Sequence, residues 1–329
     1  MKKIVIRIII PVLVTAAVIF LFFRDISLHD IKVNFLKIPL FYLLAFILLS
    51  LAGTFLRALR YYILLSRKLS FTDLFLITLV RNFSVDLLPA RTASLIFYSY
   101  LTTKKGLPLE EGASSFVVSV FYDGLALCLM LGLLLFFLKT EINRAAIYTG
   151  MGFIFVLSVV VVFFADTLLK FLLKIKIFKK FPRIETFFRN IYDYLVAHKK
   201  TSERLIVFGL SFFIRLIKYV FVFILFEGIV RIGFGLHHFS LFSFGLAGTE
   251  LSALLPIQGL GGFGTWELAF SLIFKALQIP ADNLKEAGFV IHITTQVWEY
   301  AVGIAALIYL FIKTGKNKKE EDIEKTPDE

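Results

Sequence analysis

Runs of apolar residues, each about 20 long or longer, recur along the chain at Ile4 to Phe23, Ile38 to Leu56, Gly112 to Leu138, Ala145 to Ala165, Leu205 to Phe226 and Gly288 to Ile312. At about 1.5 Å per residue, each can cross a hydrocarbon core of roughly 30 Å as a helix. The pattern therefore predicts six full spans. The first follows Met1-Lys2-Lys3 like a signal peptide, but no convincing small-residue cleavage site comes after it, so an uncleaved helix is expected. Two further apolar regions, Phe71 to Leu101 and Phe239 to Leu277, are each interrupted near the middle. Pro89 breaks the first, and Pro256 with a cluster of glycines breaks the second.

Composition agrees with this pattern and excludes soluble enzyme folds. Of 329 residues, 58% are hydrophobic, 16% aromatic and only 18% charged. The fold class expected is all-α, a polytopic helical membrane protein. With a single cysteine, Cys128, neither an intramolecular disulfide nor a cysteine metal cluster is expected. A net charge of +12 could suggest nucleic acid, but the cations sit in short segments between apolar runs. They read as topology signals that face anionic lipid headgroups.

Those signals decide how the broken regions cross. Lys2, Lys3, Arg57, Arg60, Arg67 and Lys68, and ten cations between Asp166 and Arg204, all belong on the cytoplasmic side. A single kinked crossing at Phe71 to Leu101 would place the ten-cation segment outside. The arms Leu74 to Leu88 and Arg91 to Leu101 are too short for two full spans, which leaves a re-entrant hairpin entering from the cytoplasm. The second region must also cross an even number of times to keep the lysine-rich C-terminus inside. A hairpin from the outer side is favoured there over two thin spans.

Residues 1–138 then read span, span, broken pair, span, and residues 139–312 read the same. The second half, which also holds a basic amphipathic segment at 166–204, starts on the opposite side, so an inverted repeat is expected. Residues 313–329 are expected to form a charged, disordered tail.

Charges inside a membrane are costly and normally face protein or water. The first broken region carries Arg81, Asn82, Asp86 and Arg91 around Pro89, and the following span carries Asp123. Arg81 and Arg91 could neutralise Asp86 and Asp123, or leave a cationic surplus for an anionic headgroup. The second broken region holds Glu250, Pro256, Gly261, Gly262, Gly264, Trp266 and Glu267. Its glycines suit a bend, close packing, or N–H groups presented to a ligand. Arg215 and Lys218 share a helix face with Ser211, and Gln296 and Glu299 share one with His292. Both faces should point inward; Arg215 or Lys218 could pair with a glutamate, and His292 could relay protons. Arg57 and Arg60 are expected to snorkel at a helix end. No nucleotide-binding, zinc-protease or serine-hydrolase motif is present, so neither cofactor nor metal is expected.

The chain resembles the flippase-like family named after the transmembrane region of lysylphosphatidylglycerol synthase. The resemblance rests on Asn82 with Leu88-Pro89-Ala90-Arg91, where the family has Asn and Leu-Pro-Gly-Arg, on Asp123, and on Gly261-Gly262-Phe263-Gly264-Thr265-Trp266-Glu267, which fits Gly-Gly-x-Gly-x-x-Glu. Ser94, Phe97 and Ser119-Val120 depart from the family's Glu, Arg and Glu-Arg, which suggests a divergent branch. The resemblance implies movement of an anionic lipid or a polyprenyl-phosphate-linked glycan between leaflets of the cell membrane, with the placement of lysines putting both termini in the cytoplasm. It also implies a partner synthase or glycosyltransferase. With only a short tail after Ile312, aminoacylation by this chain is not expected. Two alternatives stand beside transport: a membrane subunit that recruits or assists a lipid-modifying synthase or glycosyltransferase, and a transferase using Glu267 or Asp86 as base. Substrate contact is expected from the residues named in the two broken regions, from Asp123, and from Arg215, Lys218, Gln296 and Glu299.

Overall fold

A computed structural model of the protein describes residues 28–88, 92–138, 144–174, 182–197, 200–252, 260–279 and 284–324. The chain is an all-α membrane protein. In order, its helices are α1 (Leu28–Leu36), α2 (Leu40–Leu64), α3 (Phe71–Phe83), α4 (Thr92–Lys104), α5 (Leu109–Leu134), α6 (Arg144–Leu172), α7 (Pro182–Ala197), α8 (Thr201–Ile229), α9 (Leu236–Ser252), α10 (Thr265–Ala276) and α11 (Leu284–Glu324). Segments Leu40–Leu64, Leu109–Phe137, Ser202–Ile229 and Leu284–Lys313 are long and apolar enough to span a membrane. Helix α6, at the fourth expected span, has 29 residues and packs on α5. The first expected span lies outside the described residues, as do Pro89, Arg91 and Pro256.

Both broken regions are short helix pairs. Helices α3 and α4 have 13 residues each, about 20 Å at 1.5 Å per residue, so neither reaches across a bilayer core alone. Helices α9 and α10 have 17 and 12 residues. Each pair packs together and then against its neighbours in the chain: α2 with α3, α4 with α5, α8 with α9, and α10 with α11. Each also reaches across the molecule, α3 onto α11 and α9 onto α5, while α2 and α8 pair at the centre.

Two boundaries differ from expectation, each for a physical reason. Helix α2 continues two turns beyond Leu56, because Ala58, Leu59, Tyr61, Tyr62, Ile63 and Leu64 keep it apolar past the two arginines. That extension carries Arg57 and Arg60 into the bundle, so neither snorkels. Helix α11 runs on to Glu324, through much of the segment expected to be a disordered tail; Lys and Glu, which dominate there, are good helix formers.

The outward faces carry large apolar side chains, among them Leu40, Phe41, Leu48, Phe153, Leu205, Phe213, Leu272 and Ile308. On a water-soluble protein such a belt would drive association; in lipid it is the solvated surface. The charged margin of the bundle is clasped by Asp73, which pairs with Lys105 at 3.1 Å and Lys313 at 3.2 Å, tying α3 to the end of α4 and to α11. Burial alone would raise the Asp73 carboxyl, but hydrogen bonds from Lys105, Ser70 and Lys313 outweigh it and hold it below the usual carboxylate range.

The α3–α11 crossing depends on Gly303, where an added Cβ would overlap Phe83 Cβ and sit 3.1 Å from the Leu79 carbonyl oxygen. Overpacking such a contact costs about 1–3 kcal/mol. Gly303→Leu is therefore expected to lower the melting temperature of purified protein clearly, whereas Gly150→Leu, with open space at its Cβ, should leave it nearly unchanged.

Candidate functional site

Four long helices and parts of both broken pairs converge on one polar cavity of about 130 Å³. At about 30 Å³ for each water in the liquid, it has room for several. Its wall includes Ser50, Thr54 and Arg57 from α2, Arg81 and Asn82 from α3, Asp86 from the turn after it, Asp123 from α5, and Arg215 and Lys218 from α8. Glu250, Trp266, His292, Gln296 and Glu299 complete the polar side, and Phe221, Val222, Leu246 and Ile291 supply an apolar side. Lys218, whose side chain is 33% exposed, marks where the charged wall meets the outside.

The charges fall into three groups. Behind the wall, fully buried Arg60 binds Asp123 at 2.5 Å and donates to Ser211 Oγ at 2.7 Å, joining α2, α5 and α8. At the second group, Glu250 takes both Arg215, at 3.0 Å, and Lys218, at 2.6 Å. Arg215 and Lys218 thus share one glutamate, and pairing with a glutamate is one of the alternatives the sequence left open. The suggested pairing of Arg81 with Asp86 or Asp123 is not what forms: Asp123 belongs to Arg60, and Asp86 accepts from Gln296 Nε2 at 2.6 Å.

The third group is different in kind. Arg57 and Arg81 both donate to one neutral acceptor, Asn82 Oδ1, at 2.7 and 3.1 Å. Asn82 Nδ2 donates to Thr54 Oγ1 at 3.0 Å, and that hydroxyl donates to the Ser50 carbonyl at 2.9 Å. This bond to Thr54 fixes the amide so that its oxygen, not its NH₂, meets the guanidiniums. Neither arginine forms an ion pair with a carboxylate among the described residues, and the Nε of each is buried without a partner. The two guanidiniums also repel each other. One amide dipole offsets only part of that.

The glycine-rich turn builds the far side. Gly262 and Gly264 adopt φ of +77° and +90°, a left-handed backbone that side chains disfavour. This bend lets Gly264 N–H donate to Glu267 Oε2 at 2.5 Å, capping α10. The other Glu267 oxygen lies 2.5 Å from His292 Nδ1, His292 Nε2 lies 3.2 Å from Gln296 Nε2, and Gln296 reaches Asp86. Because Gln296 Nε2 can only donate, His292 Nε2 accepts, and its proton sits on Nδ1 facing Glu267. Trp266 lies 4.8 Å from His292 between ring centroids and stacks on Phe270 at 5.1 Å.

Of the residues singled out in the sequence, Arg81, Asn82, Asp86, Asp123, Arg215, Lys218, Glu250, Trp266, Gln296 and Glu299 meet at the cavity. Gly261, Gly262, Gly264 and Glu267 stand behind it as the scaffold that seats His292. Arg57, Thr54 and Ser50 were missed as wall residues, and Arg60 as the buried partner of Asp123. Arg57 and Arg60 carried a signal, the apolar run that continues past them, and they were read as a helix end instead.

Removing one partner of the Arg60–Asp123 pair leaves a buried uncompensated charge, at a cost of about 3–5 kcal/mol. Asp123→Asn should accordingly unfold at much lower temperature, and the double variant Arg60→Met/Asp123→Leu should recover most of the loss in the same melting assay.

The family described as the lysylphosphatidylglycerol synthase TM region matches residues 8–303. Among curated proteins, none matches the chain.

Proposed function

The chain belongs to the lysylphosphatidylglycerol synthase transmembrane-region family, and from that premise we propose that it moves an anionic lipid, or a lipid-linked head group such as a polyprenyl-phosphate-linked glycan, between membrane leaflets. The observation that carries the reading is the charged cavity held by both broken helix pairs. Inside a membrane, a cavity walled by four cations and four carboxylates serves a polar guest and water, since a purely structural core would exclude both. The acyl chains stay in the lipid while the head group crosses through the polar space.

The contact pattern supports an inverted repeat split near residue 138, with each short pair packed on the long helix of the other half. In transporters built this way, the site lies between the repeats and the broken helices act as gates. The protein acts in the cell membrane with its termini in the cytoplasm. A partner synthase or glycosyltransferase supplies or consumes the lipid, and α7 is the element best placed to meet it: Tyr194 anchors it by donating to the Leu64 carbonyl at 2.7 Å, while Arg189 and Glu185 pair along an exposed face.

Reconstitution into vesicles containing a head-group-labelled anionic phospholipid tests the proposal. An impermeant quencher should reach a larger fraction of label than in protein-free vesicles, and Val85→Trp, which adds bulk at the half-buried cavity wall, should reduce that gain severalfold. Equal quenching with and without protein, or an unaltered gain in Val85→Trp, would remove the cavity from the pathway.

A further inference from the structure

Asp123 binds Arg60, and Arg215 and Lys218 share Glu250, whereas Arg57 and Arg81 form no ion pair with a carboxylate among the described residues. Each donates to Asn82 Oδ1, and each retains guanidinium N–H groups beyond that one bond. The Nε atoms of both are buried without partners, and Arg81 as a whole is 6% exposed. Its guanidinium carbon lies 5.4 Å from the Phe116 ring centroid, so one face is covered and the remaining edge is directed by packing. Two guanidiniums anchored side by side on a neutral amide keep N–H groups toward a cavity whose carboxylates act on them only from beyond ion-pair distance.

We infer that Arg57 and Arg81, aligned by Asn82, form the seat for one tetrahedral oxyanion, a phosphate monoester or diester. Three features favour phosphate over a carboxylate side chain or a lone halide. Paired guanidinium forks match oxygens spread over a tetrahedron. The seat opens on a wet cavity of about 130 Å³, large enough for a group that keeps part of its hydration. Its anchor is a neutral amide, and Asp123 and Glu299 act on the arginines only at longer range, so a close charge match is left to an occupant. Thr54 completes the device: by holding the Asn82 amide in one orientation at 3.0 Å, it keeps the oxygen toward the arginines whether or not the seat is filled.

The inference deepens the transport reading by naming the group that the cavity grips, and rests on that reading only for the source of the phosphate. Lipid head group and free phosphate share this chemistry, and the two are separated by probe.

Full-length protein in a phosphate-free maltoside detergent would be titrated calorimetrically with inorganic phosphate and, separately, with micelle-dispersed short-chain phosphatidylglycerol. Binding should fall about ten-fold or more in Arg81→Gln and in Asn82→Asp, and also in Arg57→Lys, which keeps the charge but loses the fork. Asn82→Asp is the sharpest variant: it places an internal carboxylate between the arginines, so it should raise the melting temperature while abolishing binding. Arg189→Gln, on exposed α7, should bind as the parent does. Tight binding of the lipid with these losses supports a lipid phosphate. Binding of inorganic phosphate alone supports the oxyanion seat and detaches it from lipid. No binding of either probe, or binding retained in both Arg81→Gln and Asn82→Asp, overturns the inference. A protein that moves labelled lipid yet binds neither probe loses the seat and keeps transport; one that binds but moves no lipid keeps the seat and loses transport.

Discussion

Arg60 has no exposed side-chain surface, and its bonds to Asp123 and Ser211 fix where α2, α5 and α8 meet. Each long helix is apolar enough to slide against lipid, because hydrocarbon offers no hydrophobic drive for helices to associate. A buried ion pair supplies what apolar surface cannot: a single register, enforced by the cost of separating the charges in a low dielectric. With that junction set, α2 presents Thr54 and Arg57 on the same side as α8 presents Arg215 and Lys218. The cavity follows from the junction.

Packing then determines what each broken pair contributes. Gly303 brings α3 onto α11, and Gly288 brings α11 near Phe270 of α10, so the turn after α3 and the glycine-rich turn before α10 face a common helix. The glycine-rich motif works mainly through Glu267, which caps α10 with one oxygen and orients His292 with the other. Its glycines and Glu267 therefore shape the site from behind, while Trp266, Asn82 and Asp123 stand in the cavity wall itself.

Much of this architecture was legible in the sequence because membrane spans depend on length and hydropathy, which are local. The short helices flanking each break could be read for the same reason, since proline and glycine act where they stand. The pairings could not. Asp123 lies 63 residues from Arg60 and Ser211 lies 151 away, and no local pattern tells a guanidinium at a helix end from one in mid-helix. Ala58 to Leu64 held the only clue, an apolar run that would have been pointless if the helix had already ended. The pairing of Glu250 with both Arg215 and Lys218, 35 and 32 residues away, was one possibility among several, because three glutamates were available to the same face.

The line of contacts from Gly264 through Glu267, His292 and Gln296 to Asp86 joins the two broken segments end to end. Every link in it is a polar bond, and Asp86, His292 and Gln296 make theirs at the cavity wall. Asp86, in the turn after α3, is held by Gln296 of α11, and His292 of the same helix is held by Glu267 of α10. The described parts of the two breaks are therefore fastened to each other through α11 as well as to their own halves of the chain.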